Sequence, residues 1–573
     1  MNAWRTLLIF FPAALSVCTS AASFTACVKS GPEGRVDALF KGFDASSPGC
    51  AVGVYRAGEI VFSKGYGLAD LKAKERITAR TVFDVASLSK QFTAYAIALL
   101  AQEGRLSLDE EVQKYVPELP RLAHSITIRH LVHHTSGLRE YGALMELTGW
   151  RLDEPLSRSD VVALLNRQRE LNFTPGERHE YNNTNYLLMA MIVERVTGQS
   201  FKEYATRKIF RPLGMASTYV RYPTDPVPKR AINYTGRPDG SYIPNRVWDR
   251  AYGVGVANVH TSIEDLAKWD RNFFRPIVGD DNLVRTVYSP SKLNSGKSTS
   301  YAYGLDLGTH RGMRTVSHGG IGGGSFHLLR LPDQRLSVAT LCNRYAFGAN
   351  APDTWTLSRQ VADVFLTDRT DEGSSESNPS LPPAIAASTA ELAKHVGSYW
   401  KDSGPPLNIK LDKGQLVEIE GGKAYPLVPI GLGRFRNPEG TATYSFDGRD
   451  GRMLTYYEVP TDFTAVGERR PQWSPRRAEL QGSVGKFCSP EVPVCWSLLF
   501  VGDVLVLRRP RFPDAILSPA YPGTFLLVDS DEIGTRSMRL VLQRSANSPV
   551  QGFSVFRGRV GGVSFQRAPT DLR

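Results

Sequence analysis

The chain has 573 residues, 42% hydrophobic and 22% charged, with a formal net charge of +12. That length exceeds what one hydrophobic core fills, so roughly two to four domains are expected, and the composition excludes disordered and collagen-like classes. The basic excess is scattered in pairs such as Arg469-Arg470, Arg476-Arg477 and Arg508-Arg509, which argues against nucleic acid as a partner.

At the start, Arg5 precedes an apolar run from Thr6 to Val17, and the small residues Ser20, Ala21 and Ala22 follow. This is the layout of a signal peptide over residues 1–24, too short for a permanent membrane span. The expected location is therefore periplasmic or secreted, with no integral membrane span after signal removal. Cys18 and Cys27 raise lipid anchoring as the lesser alternative, because bulky Val17 precedes the first and Phe24-Thr25-Ala26 matches imperfectly before the second.

A mixed region runs over residues 30–367. Cys50 to Gly67 alternates like two strands joined by a turn at Ala57-Gly58. Helical runs follow over Ser87 to Gln102 and Asn185 to Thr197, stopped by Gly104 and Gly198. Ser325 to Leu331 and Leu336 to Asn343 read as a strand pair turning at Pro332-Asp333. The sum is a sheet with helices packed on it. Residues 368–386 are polar and rich in Ser and Pro, a linker unable to bury enough apolar area to fold. Beyond it, short strands separated by glycine turns take over. Leu427 to Phe435 matches Leu517 to Phe525 at Leu, Pro, Gly and Phe. The repeat predicts two small antiparallel β-barrels, 387–470 and 478–573, since closure disposes of exposed strand edges; a two-sheet sandwich is the alternative. Cys50 and Cys342 lie in apolar strand-like runs, where a small buried thiol is expected. Cys488 and Cys495 flank a turn-like Ser-Pro-Glu-Val-Pro-Val that a disulfide could close in an oxidising compartment.

The sharpest chemical signal is Val85-Ala-Ser-Leu-Ser-Lys90, at the entrance of an apolar helix. A serine hydroxyl is a weak nucleophile until a base takes its proton, and residues three apart on a helix share a face, so Lys90 can reach Ser87. Lysine serves as a base only when burial or neighbouring positive charge disfavours its ammonium. The helix N-terminus lets the Ser87 N–H help hold an oxyanion. Ser289-Pro-Ser-Lys292 has the same spacing but sits in a polar loop with no helix to orient it. The histidine group His124, His130, His133 and His134 lacks an acid or cysteine at metalloprotease spacing, so no metal is expected. The glycines from 319 to 324 fail the dinucleotide pattern, and no Gly-x-Ser-x-Gly elbow occurs.

Tyr181-Asn182-Asn183 and His318-Gly319-Gly320 follow Ser87 and Lys90 in order, with Leu131 to Leu138, Gly253 to Ala257 and Gly65 to Asp70 as flanking stretches. This combination resembles the serine β-lactamase and penicillin-binding-protein superfamily. The resemblance implies an α/β (α+β) transpeptidase-like catalytic domain and an acyl-enzyme on Ser87, with Lys90 assisting deprotonation. It also implies a phenolate-like Tyr181 relaying the proton to the leaving amine, which requires nearby positive charge. Asn183 would bond the substrate amide and His318 would line the strand facing the serine. Gly320 would admit the close approach that lets the Ile321 N–H complete the oxyanion hole. No cofactor is implied.

Relatives that capture a β-lactam or a C-terminal carboxylate typically place Lys then Thr or Ser where this chain has His318 and Gly319, so strong β-lactam turnover is not expected. With lipocalin-like barrels behind the catalytic domain, the layout is similar to bacterial D-stereospecific aminopeptidases, in which a barrel loop reaches into the cleft. The Asp462 to Arg477 stretch is the candidate loop, with an exposed linker as its alternative. The expectation is an exported peptidase or amidohydrolase acting on small peptides, including D-residue ones, and with peptidoglycan fragments as candidate partners. The alternatives are a carboxylesterase or weak β-lactamase, and a non-catalytic penicillin- or peptidoglycan-binding module.

Overall fold

The computed structural model describes residues 31–569, apart from 152–153, 238, 247–248, 346–352, 368–381, 402–405, 421, 439, 441, 448–452, 459–462, 532–533 and 545–548. The expected signal peptide and most of the expected linker lie outside the described residues. The first domain is built on a six-stranded antiparallel sheet of β1 (Cys50–Arg56), β2 (Glu59–Tyr66), β3 (Asp306–His310), β4 (Met313–Ile321), β5 (Ser325–Leu331) and β6 (Leu336–Cys342). Its order is β3-β4-β5-β6-β1-β2, so the N-terminal hairpin docks on the last strand of the sheet. The hairpin turn at Ala57-Gly58 has both φ values positive, 51° and 81°, as a two-residue turn between twisted strands requires.

Successive side chains of a strand feed opposite faces. Cys50, Val52 and Val54 enter one core, with Val36 and Phe40 from the region of α1 (Pro32–Leu39) and Leu357 and Val361 of α4 (Thr354–Thr367). Ala51 and Tyr55 enter the other, with α2 (Lys90–Gln102) and α3 (Asn183–Thr197). Helix α2 is buried on every side from Lys90 to Leu100, the mark of a central rather than a surface helix.

The structure departs from the sequence reading at three local points. Ser87 precedes α2 in a 3₁₀ turn, Ala86–Ser89, rather than beginning the helix. Helix α3 starts at Asn183, two residues early, because the Asn182 side chain accepts the Thr184 N–H as an N-cap. Cys50 and Cys342 are joined as a disulfide, not free thiols: antiparallel pairing of β1 and β6 sets them directly opposite.

The C-terminal region forms two nearly closed nine-stranded antiparallel barrels, not sandwiches. In each, strands one to four pair in order, strand one pairs with strand nine, and strands nine to five pair in reverse order. The sequence repeat falls where strand four passes to strand five. There Leu427 N–H donates to Leu416 O at 2.9 Å and Leu517 N–H to Leu505 O at 3.0 Å, the same bond in each barrel. The first barrel has its own core around Tyr399, Leu416 and Leu454, whereas the core of the second, with Phe487, Trp496 and Phe565, is continuous with that of the catalytic domain. Cys488 and Cys495 close a short loop in the second barrel as a disulfide.

Candidate active site

The serine turn is fixed from both sides. Ala86 sits at φ 47°, a left-handed conformation that costs a non-glycine residue roughly 1–2 kcal/mol. Its N–H donates to Asp84 Oδ1 at 3.1 Å, which holds the turn that presents Ser87. On the far side, β4 comes so close that a Cβ on Gly320 would overlap Val85 O and stand 3.2 Å from the Ser87 amide nitrogen. Only a glycine brings the backbone of Gly320-Ile321 against the serine turn.

Lys90 Nζ lies 2.9 Å from Ser87 Oγ and donates to Val256 O at 3.1 Å. Its side chain has no exposure. Burial drives the Lys90 pKa well below its ordinary value, the Arg559 charge adds to this, and Glu140 opposes it. Lys90 is thus pushed toward the neutral amine. Tyr181 also hydrogen-bonds Ser87, and its ring lies 4.9 Å from Lys90 Nζ. The Tyr181 phenol departs from the phenolate expectation. Burial raises its pKa above the ordinary tyrosine value, against the opposing pull of the Ser87 bond and Arg559. The positive charge is present, but desolvation prevails, and the resting group is a phenol.

Asn183, first residue of α3, donates from Nδ2 to Glu140 Oε1 at 3.1 Å. Its Oδ1 is buried without a protein partner, and the residue lines a cavity of about 80 Å³ with Ser87, Asp84, Tyr141 and Ile321. A buried acceptor left open in this way fits an N–H brought by a ligand.

His318 does face the catalytic groups, its ring 6.1 Å from that of Tyr181, but its nitrogens are taken. Nδ1 is 2.6 Å from Gly319 O, so it carries the proton, and Nε2 accepts from the Tyr301 hydroxyl at 3.2 Å. Burial, then the Lys90 charge, lower the His318 pKa to about 3. The imidazole is neutral and holds no spare donor. Gly319 is a glycine because the Trp355 indole occupies the place of its Cβ. Two of the clustered histidines serve structure: His130 completes a capping box with Thr127, and His134 packs among Tyr181, Tyr186 and Tyr301. Among the described residues, no three His, Cys, Asp or Glu side chains converge as a metal would need.

Sequence reasoning missed Arg559, in the last hairpin turn of the second barrel. Its guanidinium carbon lies 5.2 Å from the centre of the Tyr181 ring, and Nη1 donates to Tyr181 O at 2.8 Å. The barrel element at the site is therefore this turn, not the Asp462 to Arg477 stretch. Asp462 lies outside the described residues, Phe463–Arg469 is the closing strand of the first barrel, and Trp473 beyond it packs on Phe525. The hairpin is anchored by its backbone: Arg559 O accepts from Glu140 N at 3.2 Å and Asn172 Nδ2 at 2.9 Å. No local motif marks an arginine 378 residues beyond Tyr181.

The family model described as Beta-lactamase matches residues 36–363. The chain is 29% identical over 400 residues to penicillin-binding protein 4* of Bacillus subtilis, covering 66% of this chain and 85% of that protein. It is 30% identical over 299 residues to a D-aminopeptidase of Gluconobacter oxydans, covering 52% of this chain and 56% of the relative, so it spans little more than half that protein's length. Among solved structures, an octameric penicillin-binding protein homologue from Pyrococcus abyssi superimposes with TM-score 0.50 at 18% identity, covering 93% of this chain and 98% of the other. At that identity the likeness speaks for the fold.

Proposed function

The chain belongs to the beta-lactamase family and is a serine hydrolase; from that premise we propose that it is an exported peptidase or amidohydrolase releasing N-terminal residues, D-residues included, from small peptides through an acyl-enzyme on Ser87. The observation that carries the reading is Lys90, fully buried, held toward its neutral form and 2.9 Å from Ser87 Oγ.

In acylation, neutral Lys90 accepts the Ser87 proton as Oγ attacks the substrate carbonyl. The N–H groups of Ser87 and Ile321 receive the oxyanion as Gly320 holds the two backbones together. Tyr181, a phenol at rest, gives its proton to the leaving amine. The Lys90 ammonium formed in the attack, 4.9 Å from the ring centre, then stabilises the phenolate. Water hydrolyses the ester by the reverse relay, so no proton is gained or lost over the cycle apart from those of the products. The open Asn183 acceptor favours an amide N–H over an ester oxygen. The D-aminopeptidase relative supports an N-terminal D-residue. The signal-like leader and two disulfides support export, since disulfides persist in oxidising compartments.

The test is labelling with a fluorescent phosphonate, followed by turnover of D- and L-aminoacyl amides, esters and nitrocefin. Ser87→Ala should lose labelling and several orders of magnitude of turnover while keeping its fold. Retained activity in that variant excludes the mechanism, and cleavage of esters alone replaces the peptidase reading with an esterase.

A further inference from the structure

In this catalytic domain the strand beside the serine offers the Ile321 N–H to the oxyanion but no side chain to a substrate carboxylate. Both His318 nitrogens are engaged, and the Trp355 indole covers Gly319. A cation stands instead on the neighbouring element. Arg559 reaches over the Tyr181 ring and gives one N–H to the Tyr181 carbonyl. Among the described residues its guanidinium makes no ion pair and no other hydrogen bond, although Glu140 binds its backbone carbonyl. Other guanidiniums of the same face are matched: Arg557 donates to Glu146 at 2.8 Å, and Arg139 pairs with Glu491. A half-buried arginine with unspent donors beside the catalytic tyrosine is a ready recognition group for a carboxylate, which its planar fork matches.

We propose that Arg559 is a specificity-determining residue, supplied by the second barrel, that anchors the C-terminal carboxylate of a leaving group one or two residues long. The inference rests on the peptidase reading above. Tyr181 protonates the leaving nitrogen, so the leaving group starts at its hydroxyl. One residue of extended chain spans about 3.5 Å, which brings a terminal carboxylate from the phenol to the guanidinium lying 5.2 Å from the ring centre. The enzyme thus selects free short peptides over longer or C-terminally blocked ones.

The experiment compares dipeptides with the same dipeptides amidated at the C-terminus, in D and L series, on the full chain and on Arg559→Ala and Arg559→Lys. The wild type should prefer the free acid. Arg559→Ala should lower the acid-to-amide ratio of kcat/KM about 10- to 100-fold, chiefly through KM, with Arg559→Lys between them because it keeps charge but not the fork. The ratio cancels any effect of the arginine on Lys90 or Tyr181, which acts on both substrates alike. Equal use of acid and amide by the wild type, or a ratio unchanged in Arg559→Ala, overturns the anchor. So does phosphonate labelling of Ser87 that neither peptide slows when neither is cleaved. Failure of Ser87 to take the phosphonate at all strikes instead at the peptidase reading.

Discussion

Glu491→Ala should uncouple the second barrel from the catalytic site. Glu491 sits in the loop closed by Cys488 and Cys495, and its carboxylate pairs with Arg139 where the two side chains are 4% and 1% exposed. The same carboxylate accepts the N–H of Arg169 at 3.2 Å and of Ser564 at 3.2 Å, while the Glu491 carbonyl accepts Gln168 Nε2 at 3.1 Å. Arg139 adjoins Glu140, which binds both Asn183 and the backbone of Arg559. Removing one member of a buried pair costs about 3–5 kcal/mol, and among the described residues Arg139 is left with only exposed Glu170, 3.8 Å away, as its carboxylate partner. At 1.4 kcal/mol per decade, that cost shifts the docking equilibrium roughly 100- to 4,000-fold. Chemical unfolding followed by tryptophan fluorescence should show a lower midpoint or a separate early transition. Phosphonate labelling and amide turnover should fall with it, as Asn183 and Arg559 lose their positioning. Glu491→Gln, which keeps one of the two acceptor oxygens, should fall between. An alanine variant with unchanged midpoint and kinetics would falsify the idea that this pair holds the barrel to the site.

Lys90 should set the acid limb of the pH profile. Turnover needs its amine neutral, so kcat/KM should fall as pH drops through the lowered Lys90 pKa, and Tyr181, raised above its ordinary value, should add no alkaline limb below that value. Half-buried Asp306, pushed up to about 7 by burial, can add a limb of its own, and Asp306→Asn removes it. Between the lowered pKa and 10.5 the unfolded chain binds a proton at Lys90 that the native state refuses, so this group's contribution to stability rises with pH there. Lys90→Met should accordingly lose turnover yet unfold at higher denaturant than the wild type near neutrality; an unchanged or lower midpoint speaks against a neutral buried amine. The paired variant Cys50→Ser with Cys342→Ser should lose about 2–5 kcal/mol, since the crosslink spans 292 residues. Equal stability under oxidising and reducing conditions would contradict that.

What could be read without coordinates was local or repeated. Ser87 and Lys90 are legible because a spacing of three on a helical turn is itself the geometry, and Tyr181 to Asn183 because a cap and a helix start lie within three residues. The barrels showed through because the passage from the fourth to the fifth strand is written twice, at Leu427 and Leu517. Packing supplied the rest. Cys50 and Cys342 meet only through the register of β1 on β6, which neither flanking sequence specifies. The role of His318 depends on Tyr301, which occupies its second nitrogen, so a histidine that looks like a substrate contact becomes a support. The polar Asp462 to Arg477 stretch looks like a loop, yet from Phe463 it closes a barrel. Arg559 follows a glycine turn like many others in this region.

These long-range placements bear on why a serine hydrolase of this family carries a second barrel whose core merges with its own. Burial alone pushes Lys90 toward the neutral amine and Tyr181 toward the phenol, a pair suited to attack but with little to stabilise the phenolate that forms when the leaving amine is protonated. Arg559 acts on both in the useful sense, lowering Lys90 and pulling Tyr181 downward against desolvation. A cation on the catalytic domain itself would have to be buried beside Lys90 throughout folding, with its own desolvation unrelieved. Mounted on a hairpin held through its backbone by Glu140 and Asn172, the charge arrives with the docked barrel and keeps donors that no protein group among the described residues takes. Catalytic competence is then coupled to an interdomain contact, and the group that tunes the relay also remains open to the substrate.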